Sequence, residues 1–338
     1  MSFTRQLFGL SALAASWLLA ACGPVDDSGR ESLVVYSAGP RPLIEHITRT
    51  FTEETGIAVD LFVATTGQVM ARLEAEKYRQ RADVVIFASE VAAKALKANA
   101  RLLPYPDAPW LEETENAWHD PDSTYFATGA ALVGIALRNE FRNPDLEWAD
   151  FFEGRFQGRV TMPSPSRSGS AGDFVVAYAL TRGEDMWGDF RQARRGGLEF
   201  AAANSQAITS LLIGAFDAIV GAVDYLIYRQ MADGAQIHMH FPPSGSALVT
   251  RPIAILAGAP HPERARAFLD HYFSPEMQQA LADAHLLPAR RDIPLSHVRA
   301  GDGLPPTFET DIAEAYRRQT QILRRFQIEI ERAAVVRP

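Results

Sequence analysis

From Ser32 onward, short runs of β-branched and aliphatic residues alternate with stretches whose apolar side chains recur every three or four positions. That alternation limits the fold more than any other feature, because it requires helices laid over mostly parallel sheets, an α/β architecture. Strands are expected at 33–37, 57–63 and 83–87. Helices are expected at 41–54, where Leu43, Ile44, Ile47 and Phe51 share one face and Gly56 ends the run, and at 67–79 and 90–99. Segments 125–129 and 132–137 then carry the chain into a second lobe. This lobe holds strands 159–162 and 218–223 and helices 171–182, 184–195 and 205–214. A strand at 237–241 returns the chain, and 253–256 rejoins the first sheet. Helices at 262–272 and 275–284 follow, and a long helix at about 308–334 closes the sequence. The expected domains are lobe 1 (32–127 and 243–305), lobe 2 (128–242) and a C-terminal helix (306–338), with hinges near 126–130 and 240–244. The cleft between the lobes is the expected ligand site.

The 338 residues are 47% hydrophobic and 22% charged, enough for two cores and incompatible with a disordered chain. A net charge of -8 argues against a broad nucleic-acid surface. Of the 33 basic residues only Lys77, Lys94 and Lys97 are lysines, a skew read as compositional bias rather than phosphate recognition. Arg5 precedes an apolar run at 7–19, too short to span a bilayer and suited to a secretory signal. The run ends in Leu19-Ala20-Ala21-Cys22-Gly23, which resembles the bacterial lipoprotein box. The single cysteine, Cys22, is then the lipidated N-terminus of the mature chain, held on the periplasmic side of a membrane by its acyl chains. Residues 1–21 are the signal and 22–31 a polar tether.

Several strand ends lead at once into a Ser, Thr or Gly segment and then a helix: Ser37 and Gly39; Thr65, Thr66 and Gly67; Ser89; Ser166, Arg167, Ser168, Gly169 and Ser170; Asn204 and Ser205. Each places hydroxyls and first-turn N–H groups where a carboxylate or phosphate is welcome, or else the hydroxyl simply caps its own helix. The 164–170 segment adds Arg167, whose planar fork suits an oxyanion, so Arg167→Ala is expected to weaken binding tenfold or more. Asp224 and Tyr225 follow a strand, with Tyr228 and Arg229 one turn on. They either receive the polar end of a ligand or serve as cap and lining. His238 and His240 alternate along a strand and are expected to be an exposed pair rather than metal ligands. The sequence carries no Gly-x-Ser-x-Gly, His-Glu-x-x-His or Walker motif, so a binding protein without a cofactor is expected rather than an enzyme.

Further local marks are Leu33-Val34-Val35-Tyr36-Ser37, Phe51-Thr52-Glu53-Glu54-Thr55-Gly56-Ile57, Ala82-Asp83-Val84-Val85, Pro260-His261-Pro262-Glu263-Arg264-Ala265-Arg266-Ala267-Phe268-Leu269-Asp270 and Ser274-Pro275-Glu276-Met277-Gln278. With the lipoprotein box, these make residues 32–290 resemble an extracellular solute-binding protein of a bacterial ABC importer, in the branch of ferric-ion, hexose-phosphate and 2-aminoethylphosphonate binders. The resemblance implies a two-lobed, type II periplasmic-binding-protein fold with a hinged central cleft. It also implies a monomer that hands a small ligand to membrane permease subunits, without nucleic-acid partners. Ferric binders of the branch carry a His soon after the first Tyr-Ser and two adjacent tyrosines after the later strand. Here Ser37-Ala38-Gly39-Pro40-Arg41 has no His and Val223-Asp224-Tyr225 has one Tyr. A small oxyanion, an organophosphate or phosphonate, is therefore expected. The alternative is a ferric ion held by Tyr225, Tyr228 and Asp224.

Overall fold

A computed structural model of the chain describes residues 32–333 apart from 154, 155, 157, 297, 298 and 300–303. The expected signal, Cys22 and the tether lie outside the described residues, as do positions 334–338.

The first strands and helices fall where periodicity put them. These are β1 (Leu33–Ser37), α1 (Arg41–Thr55), β2 (Val59–Val63), α2 (Thr66–Ala75), β3 (Val84–Ile86) and α3 (Glu90–Ala98). After β4 (Leu102–Leu103) comes β5 (Phe126–Arg138), one continuous strand where two were expected. The reason lies at Gly129. A Cβ there would stand 2.4 Å from the Leu287 carbonyl oxygen, so the glycine admits a neighbouring backbone rather than ending the strand. The chain continues through α4 (Trp148–Phe152), β6 (Val160–Pro163), α5 (Gly169–Arg182), α6 (Asp185–Arg195), β7 (Glu199–Ala201), α7 (Asn204–Leu212), β8 (Ala218–Val223), α8 (Asp224–Ala232) and β9 (Ile237–His240). It ends with β10 (Ala247–Leu256), α9 (Pro262–Tyr272), α10 (Pro275–Asp283), β11 (Leu287–Pro288) and α11 (Ile312–Phe326).

Strand order is β2-β1-β3-β10-β5-β8-β6-β7, with β4 on β10 and β9 and β11 on β5. Each end of this order is a parallel trio, β2-β1-β3 and β8-β6-β7. The antiparallel pair β5 and β10 joins them. At about 3.3 Å per residue, the 13 residues of β5 reach about 43 Å, enough to serve both trios. Two α/β layers hung on two long strands give the expected two-lobed α/β architecture. Each is filled by aromatic packing. Trp110 stacks on Phe273 with centroids 3.7 Å apart on one side. On the other, Phe152 and Phe190 lie 4.9 Å apart. Burying such a ring contributes about 1.5–3 kcal/mol.

Two expectations need correction. His238 and His240 are buried, not exposed. His240 Nε2 reaches the Leu146 carbonyl at 2.7 Å, while burial pushes the His238 imidazole down to about 4. The last helix starts at Ile312 rather than 308, because the Asp311 carboxylate accepts from the N–H groups of Ala313 and Glu314 and fixes the first turn there. Phe326 and the buried Ala315 and Ile322 seat α11 against both α3 and α5.

Candidate ligand-binding site

Helices α2, α5, α7 and α8 each begin at the carboxyl end of a parallel strand or its loop, and their first turns meet around one cavity of about 170 Å³. Of the residues singled out in the sequence, Thr65, Thr66, Ser168, Gly169, Ser170, Asn204, Ser205 and Tyr225 line it. First-turn N–H groups have no carbonyl within their own helix to bond, so four helix starts give the cavity a positive wall. The turns at 65–67 and 164–170 touch. A Cβ on Gly169 would stand 2.7 Å from Thr66 Oγ1, so only glycine fits this approach. Capping and lining coexist here. Thr65 forms a capping box with Gln68, and Ser168 Oγ accepts from Ala171 N, yet both face the cavity. Asn204 Nδ2 donates to Ser168 Oγ and Ser170 Oγ at 3.3 and 3.4 Å, while its buried Oδ1 has no partner among the described residues.

Sequence reasoning missed Arg251. It stands inside the buried strand β10, where pairing with β5 slips between Thr250 and Pro252. Its guanidinium donates to the Ala38 carbonyl at 3.1 Å and lies 5.4 Å over the Tyr225 ring. The residue is 3% exposed and lines the cavity, and no carboxylate pairs with it among the described residues. The available signal was Thr250-Arg251-Pro252 itself, a charge and a proline inside an otherwise apolar run. Burial raises the Tyr225 phenol above its ordinary range, so it remains a neutral donor.

Other anticipated residues sit elsewhere. Arg167 and Ser166 are exposed and border a neighbouring depression of about 210 Å³, with Gly67, Ser89 and α11's Gln319 and Leu323. The physical reason is that their loop already holds an oxyanion. Glu331 Oε1 accepts from Ser164 Oγ at 2.9 Å and from Ser166 N at 3.3 Å. Ser37 is buried and its Oγ accepts from Gly39 N, leaving Ala38 between them to line the cavity. Asp224 is fully buried, ion-paired to Arg299, and accepts from the N–H groups of Leu132 and Tyr225. The Arg299 guanidinium lies 5.1 Å over the Tyr228 ring. The Asp224 oxygens proposed for iron are thus committed within the protein. Among the described residues no three His, Cys, Asp or Glu side chains gather as a metal would require. Beyond Tyr225 a second cavity of about 350 Å³ opens, bordered by Leu43, His46, Leu226 and Arg229.

The profile of bacterial extracellular solute-binding proteins matches residues 33–287, three quarters of the chain. The chain belongs to that family. Among solved folds, this solute-binding protein is similar to the periplasmic binding protein AfuA of Actinobacillus pleuropneumoniae, solved with fructose-6-phosphate bound. The TM-score is 0.82 at 18% identity, over 89% of this chain and 99% of that one. It is also similar to the ferric binding protein of Campylobacter jejuni, with a TM-score of 0.77 at 19% identity over 88% and 99% of the two chains. By sequence it is 23% identical over 261 residues to the phosphoglycerate transport regulatory protein PgtC of Salmonella typhimurium, covering 76% of this chain and 65% of that one. The likenesses to solved structures carry the two-lobed binding-protein fold, and the family's members are binding proteins.

Proposed function

We propose that this solute-binding component of an ABC importer captures a small organic oxyanion, an organophosphate or phosphonate, in the cavity bordered by Arg251 and hands it to the permease. The observation that carries the reading is the buried Arg251 among four helix starts, with no carboxylate paired to it among the described residues. An uncompensated buried cation costs several kcal/mol, and a phosphoryl group placed there would supply both the counter-charge and the acceptors that the guanidinium, hydroxyls and N–H groups need. AfuA with fructose-6-phosphate and the phosphoglycerate protein PgtC are consistent with this chemistry. Iron is not favoured, because Asp224 is bound to Arg299 and Tyr228 lies beneath it.

Capture would proceed by closure of the 32–127 and 243–305 lobe on the 128–242 lobe, with ligand contacts on both favouring the closed form. Cys22 would tether the mature protein to the membrane surface. The test is mass spectrometry of the solute that co-purifies with the protein, followed by thermal shifts with phosphate esters, phosphonates and ferric citrate. A phosphorylated or phosphonate compound is expected, and at one hundred times its Kd it should add about 2.7 kcal/mol of stability. Stabilisation by ferric citrate alone would overturn the reading.

A further inference from the structure

Ser89 immediately precedes α3, where a serine ordinarily accepts a hydrogen bond from the first turn of its helix. Here it makes no such bond. Its hydroxyl instead donates to Asp173 Oδ1 at 2.6 Å. A carboxylate from α5, a helix laid on the opposite strand trio, thus holds the residue that opens α3. The Glu90 carboxylate stands beside this contact, held by the hydroxyls of Tyr125 at 3.1 Å and Thr250 at 2.8 Å, with Lys94 Nζ at 3.8 Å on its outer side. Thr310 and Ala315, at the start of the C-terminal helix, close the same pocket over Glu90 and Asp173 and bring no charge of their own, and Asp311 between them faces Lys94. None of these contacts belongs to the cavity that contains Arg251.

We propose that Ser89, Glu90 and Asp173 form a proton-dependent latch between the two lobes, which holds the cleft shut when Asp173 carries a proton and releases it when Asp173 is charged. The inference rests on the closure described under Proposed function but not on which solute closes it. Two carboxylates brought together away from water cannot both ionise cheaply. Burial, with Glu90 beside it, raises Asp173 to about 8, whereas separation of the lobes would return it to water and to the ordinary carboxylate range near 4. The sign follows from proton counting. Between about pH 4 and 8 the closed form binds a proton that the open form has lost, so closure is favoured on the acid side and weakens as pH rises. One proton sets a ceiling of tenfold per pH unit on the closing constant.

The test needs no ligand. Nitroxides are placed at Tyr78→Cys and Ile213→Cys, positions 92% and 75% exposed, one beyond α2 and the other beyond α7, in the full chain carrying Cys22→Ser. Pulsed electron–electron distances are then recorded from pH 5 to 9. The short-distance population should fall at least threefold per pH unit between 5.5 and 7.5, and Asp173→Asn, which imitates the protonated acid, should abolish the slope. A wild-type distance distribution that does not move with pH, whether open or closed throughout, overturns the latch. So does an Asp173→Asn protein that keeps the wild-type slope. Neither result bears on the solute, which is decided separately by the co-purification experiment.

Discussion

Arg251 and Arg167 border neighbouring cavities that share Thr66, Ser168 and Gly169, yet the protein treats them in opposite ways. Arg251 is buried within strand β10 and has no carboxylate partner among the described residues. Arg167 is exposed, on a loop whose Ser164 hydroxyl and Ser166 N–H are already taken by Glu331. The difference teaches that a loop rich in hydroxyls beside an arginine is only raw material. What marks a site is a charge that folding has removed from water with no counter-charge among the described residues.

The comparison breaks most readily at Arg251. Arg251→Gln is expected to weaken calorimetric affinity for the co-purifying solute about a hundredfold, about 3 kcal/mol for a buried charged contact. The unfolding midpoint of the ligand-free protein should not fall, because the substitution removes a buried cation that has no carboxylate partner among the described residues, while the Gln amide can still donate to the Ala38 carbonyl. A loss of both would make Arg251 structural. Next in size is Gly169→Ala, whose added methyl meets Thr66 Oγ1 at 2.7 Å and Ser89 Cβ at 3.1 Å. It should cost about tenfold in affinity through hindered closure, read by the same calorimetry. Glu331→Ala should lower unfolding free energy by about 1–2 kcal/mol in urea titration, the loss of the two hydrogen bonds that its carboxylate accepts from Ser164 and Ser166, and leave affinity unchanged. The smallest effect belongs to Arg167→Ala, where affinity should stay within about twofold. A tenfold loss there would restore the reading drawn from sequence.

Much of the framework was legible because parallel strands buried on both faces read as unbroken apolar runs. Val84–Ile86 and Ala218–Val223 are of this kind. The loops that build the cavity were legible too, since each hydroxyl segment lies between such a run and an amphipathic helix. What escaped was set by long-range contact. The role of Gly129 depends on Leu287 arriving from far along the chain, and the fate of Ser164 depends on Glu331, 167 positions away. Asp224 looked like a ligand until Arg299, 75 residues on, claimed it. Arg251 was overlooked because a single charge in a strand carries no spacing pattern. Its meaning comes from burial, which no local pattern records.

The most direct measurement is a crystal structure of the protein with its co-purified solute in place. The phosphoryl or phosphonyl oxygens are predicted to lie about 3 Å from the Arg251 guanidinium, with further bonds from Thr66 and Ser170. A solute whose anionic group sits against Arg167, or a metal ion bound by Tyr225 and Tyr228, would contradict it.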